Sequence, residues 1–142
     1  MTLTPCIFCD IAAGRAPAEV IWSDGAFLAF PVLDPIAPEH VIVIPRTHIE
    51  SIHQLDASSY TALFDRVRIV ADMVRQASRA AEVGLAVEGL SVRHVHVHVL
   101  PVNRPGDLDP CRAQRSTEQS RRAMGAHLRS FAPEQPKTSG TD

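Results

Sequence analysis

The run Ser91-Val92-Arg93-His94-Val95-His96-Val97-His98-Val99-Leu100-Pro101 decides how this chain is read. Three histidines stand on alternate residues, and valines fill the gaps. Strict apolar/polar alternation with β-branched residues predicts a β-strand. Side chains at i, i+2 and i+4 of a strand share one face, about 7 Å apart. Three imidazoles therefore line one side while the valines bury the other. An exposed strand face tolerates any polar residue, so three identical ones point to chemistry. Imidazole suits the roles of nucleophile, acid and metal ligand near neutral pH. A metal held by all three fits poorly, because tetrahedral sites usually draw their ligands from separate elements. Covalent catalysis fits better. One neutral imidazole attacks an electrophile while its neighbours set its tautomer and bind the transferred group.

A phosphoryl or nucleotidyl group suits such a site, because imidazole N–H and hydroxyl groups can donate to its oxygens. Ser91 lies just before the strand, and Gly89 permits close backbone approach. There is no Walker-type glycine loop, and the single lysine, Lys137, falls near the C-terminus. A P-loop mechanism is therefore not expected.

The 142 residues argue for one domain, taken as 1–131, with a polar, disordered tail over 132–142. A net charge of -2 gives no field for nucleic acid. No apolar run is long enough for a bilayer, and Met1 to Asp10 lacks a secretory pattern, so a cytoplasmic location is the expectation. Three cysteines are not a disulfide framework. Cys6-x-x-Cys9 taken alone reads as zinc, redox or chance, and Cys111 stands apart.

Residues 6–13 read as a short helix ended by Gly14. Val20–Trp22 and Phe27–Phe30 flank Asp24-Gly25, a two-residue hairpin signal. The prolines of 31–39 mark a loop, and Val41–Ile44 a short apolar strand stopped by Pro45. Asp56 or Ser58 can cap a long amphipathic helix over 57–81, with Leu63, Val67, Val70 and Val74 on its buried face. Gly84–Glu88 reads as a strand, Gly89-Leu90 as a turn into the histidine strand, and 103–107 as a loop. An arginine-rich helix is expected over 114–130. Hairpin-linked strands with separate helices predict an α+β domain around an antiparallel sheet.

His94-Val95-His96-Val97-His98-Val99-Leu100-Pro101 resembles the signature of the histidine triad (HIT) nucleotide hydrolases and transferases. Cys6-Ile7-Phe8-Cys9-Asp10-Ile11 is similar to the start of many bacterial members. Phe27–Phe30, Ala37-Pro38-Glu39-His40 and Val41-Ile42-Val43-Ile44-Pro45-Arg46-Thr47-His48-Ile49 match in order and spacing. The resemblance runs from Cys6 to about Asp107. It implies a five-stranded antiparallel sheet with one long helix and a C-terminal helix, assembled as a homodimer whose sheets join across a two-fold axis.

The resemblance also implies roles. His96 would attack the α-phosphorus of a nucleotide, forming a nucleotidyl-histidine that water or another acceptor then releases. The carbonyl of His94 would hold its tautomer, His98 would contact the phosphate or leaving group, and His40 would support the site. Substrates would be nucleoside phosphoramidates or (di)nucleoside polyphosphates. In zinc-bearing HIT proteins, and in the related galactose-1-phosphate uridylyltransferases, the metal ligands match Cys6, Cys9, His48 and His94, which implies a structural Zn²⁺ here. Apolar residues at Ile7, Phe8, Ile11, Phe27 and Phe30 would hold the base. Two departures stand out. Val32 occupies the place of an aspartate that binds ribose hydroxyls in many relatives, with Asp34 two residues further on. Leu90 replaces a glutamine, and 82–91 contains no asparagine for the phosphate. Phosphate binding then rests on Ser91, His98 and backbone amides. The rival reading is a non-enzymatic nucleotide- or zinc-binding dimer of the same fold. The arginines at 112, 115, 121, 122 and 129 read as a solvated helix face, and His53 and His127 as surface residues.

Overall fold

The computed structural model describes residues 5–134. Alternating apolar residues make two packed layers on one sheet. A short helix, α1 (Ile7–Ala12), precedes a hairpin of β1 (Trp22–Ser23) and β2 (Phe27–Pro31). Then come β3 (Val41–Pro45), α2 (Ala57–Ser78), β4 (Glu82–Ala86), β5 (Val97–Val102) and α3 (Glu118–Arg129). The five strands form one sheet in the order β1-β2-β3-β5-β4, and every neighbouring pair is antiparallel. The expected five-stranded α+β architecture is the observed one.

Period-two geometry assigns the faces. Phe27 and Ala29 of β2, Val41 and Val43 of β3, and Val97 and Val99 of β5 point to α2. There they meet Leu63, Val67, Val70, Met73 and Val74, with Leu128 of α3 closing the layer. Leu28, Phe30, Ile42 and Ile44 point the other way and pack under Phe8 of α1. Both faces of β2 and β3 are buried, which is why these strands read as unbroken apolar runs.

Several element ends differ from expectation. The hairpin turns at Gly25-Ala26 rather than Asp24-Gly25. The Asp24 carboxylate accepts from the amides of Ala26 and Phe27, both at 2.8 Å, and Gly25 needs no left-handed backbone. Helix α2 stops at Ser78 because Arg79 takes the left-handed conformation (φ 55°). Strand β4 starts at Glu82, two residues early. There the Asn103 side chain accepts from the Ala81 amide, and Gly84 lets Leu108 and Val102 approach where a Cβ would lie 2.6 and 2.8 Å from them. The C-terminal helix begins only at Glu118, under the Thr117 cap. Of the expected tail, 132–134 carry no helix or strand and 135–142 lie outside the described residues.

The histidine strand is also shorter than its alternation. Ladder pairing begins at Val97, opposite Val43, and places His98 opposite Ile42. Continuing that register would set Val95 against Pro45, whose nitrogen has no hydrogen to donate. The Val95 amide donates instead to the Ile49 carbonyl at 2.8 Å. The chain stays extended and its alternation survives: Val95 is buried with the α2 layer, while His94 and His96 face Phe8.

Candidate active site and metal centre

Four ligand atoms converge beside the sheet: Cys6 Sγ, Cys9 Sγ, His48 Nδ1 and His94 Nδ1, all within 4.8 Å of one another. The Cys6 sulfur caps α1 and accepts from the Cys9 amide at 3.5 Å. Arg46 fixes the other end of the helix, donating to the carbonyls of Ala12 and Asp24, each at 3.0 Å. So α1, which adds one buried aromatic to the core, is locked in a position that presents both thiols.

The donor set fits a tetrahedral Zn²⁺. Bonds of about 2.0 Å to nitrogen and 2.3 Å to sulfur put two nitrogens about 3.3 Å apart and a nitrogen and a sulfur about 3.5 Å apart. Here the two Nδ1 atoms are 3.2 Å apart. The sulfur–nitrogen distances are 3.3, 3.4 and 3.5 Å. His94 Nε2 lies 2.8 Å from the Pro45 carbonyl oxygen, so its proton sits there and leaves Nδ1 with a lone pair for a metal. Burial, and next the neighbouring Cys6, push the Cys9 thiol up to about 11. A divalent cation would have to displace that proton, as thiolate ligation requires.

His96 is set by the same logic. Its Nδ1 lies 2.7 Å from the His94 carbonyl oxygen, which can only accept. The proton is therefore on Nδ1 and the lone pair on Nε2. Phe8 packs edge-on against His94 and His96, with ring centroids 5.8 and 5.2 Å away.

A third chain of hydrogen bonds orients His98. The Ile36 amide donates to His40 Nδ1 at 3.0 Å, so His40 carries its proton on Nε2. That Nε2–H donates to His98 Nδ1 at 2.9 Å. His98 must then carry its own proton on Nε2 and offer it as a donor. Burial holds both rings well below the usual imidazole value, each at about 4, with a neighbouring histidine adding to the effect. Both are neutral at pH 7, which the donor chain requires. Burial likewise lowers His94, against an opposing pull from the Pro45 carbonyl.

The structure brings His40, His94, His96 and His98 into one row, with ring centroids 5.1 Å apart from His96 to His98 and from His98 to His40. The candidate base-binding residues separate. Phe8, Ile11 and Phe30 stand on the histidine side, joined by Leu28 and Val32. Phe27 does not: three residues from Phe30 along a strand, it faces α2 and lies under the Arg66 guanidinium at 5.2 Å. Leu28 takes that place, and counting back two residues from Phe30 would have found it. Ile7 is half exposed. Gly89 is left-handed (φ 76°), as a turn into the histidine segment needs, and Ser91 is exposed beyond it. Asp34 pairs with Arg115 at 2.6 Å, on the C-terminal side of the loop. His53 is exposed, and His127 is an exposed residue donating to the Ala77 carbonyl. Among the described residues no helix is long and apolar enough to cross a membrane.

Comparison with known proteins agrees with this geometry. Residues 5–110 match the family model described as "Scavenger mRNA decapping enzyme C-term binding". An uncharacterized HIT-like protein of Mycobacterium tuberculosis is 38% identical over 112 residues, covering 72% of this chain and 74% of its own. A bis(5'-nucleosyl)-tetraphosphatase of Schizosaccharomyces pombe is 33% identical over 89 residues, 59% of this chain and 49% of its own. The crystal structure of a zinc-bound histidine triad family protein from Mycobacterium smegmatis superposes with a TM-score of 0.75 at 28% identity, covering 89% of this chain and 91% of that one. With the ordered histidine row, the Cys-x-x-Cys segment and the antiparallel sheet all in register, this chain belongs to the histidine triad (HIT) family.

Proposed function

We propose that the protein is a nucleotide hydrolase or nucleotidyl transferase whose nucleophile is Nε2 of His96. The observation that carries this reading is the 2.7 Å contact from His96 Nδ1 to the His94 carbonyl. It leaves Nε2 unprotonated without any base to remove a proton. In the first step the Nε2 lone pair attacks the α-phosphorus, and the bond to the leaving group breaks with its electron pair. The imidazole ring gains positive charge, and its Nδ1–H bond to His94 strengthens as it does. In the second step water or another acceptor attacks phosphorus, the N–P bond breaks with its electron pair returning to Nε2, and the acceptor's proton passes to solvent. His98, left with its proton on Nε2 by the bond from His40, donates in this reading to a phosphoryl oxygen or the leaving group. Substrates are nucleoside phosphoramidates or (di)nucleoside polyphosphates, the base lying over Phe8, Ile11, Leu28 and Phe30.

Cys6, Cys9, His48 and His94 hold a structural Zn²⁺ in this reading. The ion supplies no reacting group. It ties α1 to the segment that carries His96. The protein acts as a homodimer in the cytoplasm. In support, β4 is an edge strand, and Leu85, Val87 and Leu90 on and beside it are exposed.

Incubation with adenosine 5'-phosphoramidate and with diadenosine polyphosphates tests the proposal. Turnover of either, lost in His96→Ala, is expected. A wild-type protein that turns over neither, with His96→Ala binding nucleotide as well as wild type, leaves the non-enzymatic reading in its place. Free nucleotide without transfer, when a sugar phosphate is supplied, marks the reaction as hydrolysis.

A further inference from the structure

The C-terminal segment does more than cover the sheet. Between it and the loop that follows β2 lies a cavity of about 610 Å³, within the range of small-molecule sites. Its wall includes the side chains of Arg112, Arg115 and Arg121 and contains no aspartate or glutamate. Two of these cations are paired with acids beside the wall, Arg115 with Asp34 and Arg112 with Asp107, which leaves Arg121 as its arginine without an acidic partner among the described residues.

The wall is built rather than draped. Ser116 donates to the Leu33 carbonyl from both its amide (2.9 Å) and its hydroxyl (2.8 Å). Arg121 is half-buried, and its guanidinium is held by the Ser116 carbonyl at 2.9 Å and hydroxyl at 2.8 Å. One of its nitrogens makes both contacts, so further donors remain for a ligand. Arg115 pairs with Asp34 through exposed side chains, whereas Arg112 pairs with Asp107, whose side chain is only 14% exposed. An exposed pair contributes little, so an anion can compete for Arg115. Ile36 and the loop prolines give the cavity an apolar side.

His40, which donates to His98, lines this wall together with Val32. Two successive ring spacings of 5.1 Å lie between the His40 and His96 rings. The partners of the three arginines, Asp107, Asp34 and Ser116, all lie outside the histidine row, so the grip is away from His96. We propose that this cavity is a second binding site, for a small organic anion bearing a phosphate or carboxylate, gripped by Arg121 and Arg115. It does not depend on the activity proposed above.

The test is an amide NMR titration of the full chain, with ribose 5-phosphate in one arm and citrate in the other. Saturable shifts at Gln114, Ser116 and Arg121 are expected in at least one arm. The responding arm identifies phosphate or carboxylate as the preferred group. Arg121→Ala should weaken that binding at least about tenfold, the scale of a charge-assisted contact. Arg122→Ala, one residue along and paired with Glu118, should leave it unchanged. The spectrum itself reports that each variant folds. Absence of saturable shifts in both arms, or unaltered binding in Arg121→Ala, overturns the proposal whatever the enzyme assays show.

Discussion

His40 donates through Nε2 to Nδ1 of His98 across 2.9 Å, and that one contact decides which nitrogen of His98 faces the site. Removing the donor frees the His98 ring to rotate and to exchange tautomers. His40→Ala should lower kcat by about tenfold or more with little change in KM, the pattern of an interaction made mainly in the transition state. His40→Gln can still donate from its amide and should recover part of the loss. Nitrogen-15 NMR of His98 should show a single Nε2–H tautomer in the wild type and a mixture in His40→Ala. A single unchanged tautomer in that variant would count against the positioning role.

Both rings are also a source of acid sensitivity. Their folded values of about 4 lie below the imidazole value of about 6.5 expected when unfolded. Between these limits the unfolded chain binds more protons than the folded one. Stability is therefore complete above about pH 6.5 and falls as pH drops toward 4. Urea midpoints should decline across that window, and His40→Gln should flatten the decline by removing one titrating group. The metal cluster is common to both proteins, so its own acid sensitivity cancels in the comparison.

Zinc content gives a separate check. Protein purified without added metal should contain about one zinc per chain, and chelation should lower Tm by roughly ten degrees. Cys6→Ser should lose the metal and loosen α1, seen as faster amide exchange from Phe8 to Ala12. Metal-free protein with unchanged Tm after Cys6→Ser would remove the zinc assignment.

The two phenylalanines of β2 test the assignment of faces. Phe27 and Phe30 are both buried, at 6% and 4% exposure, but in different layers. Trimming either to leucine should cost about 1 kcal/mol or somewhat more. Only Phe30→Leu should raise KM for a nucleotide substrate. Equal KM effects from the two variants would show that the face does not matter to binding.

Much of this protein is legible from neighbours in the chain. The alternation from His94 to Val99 sets which residues share a face, because side-chain direction along an extended chain follows from backbone geometry alone. The same holds for the apolar stripe of α2 and for the paired cysteines of α1. The aligned motifs then identify the family. Other features depend on residues brought together from far apart. Pro45 ends the ladder only because the β3–β5 register sets it opposite Val95. The thiols of α1 reach His94, 88 residues from Cys6, only because Arg46 and the packing of Phe8 hold the helix there. The proton positions on His40 and His98 follow from the Ile36 amide, which the folded loop delivers. Arg112, Arg115 and Arg121 look like a solvated face in the chain, and only the docking of Ser116 on Leu33 turns them toward a common cavity. Local periodicity encodes faces; convergence of distant groups is decided by packing and register.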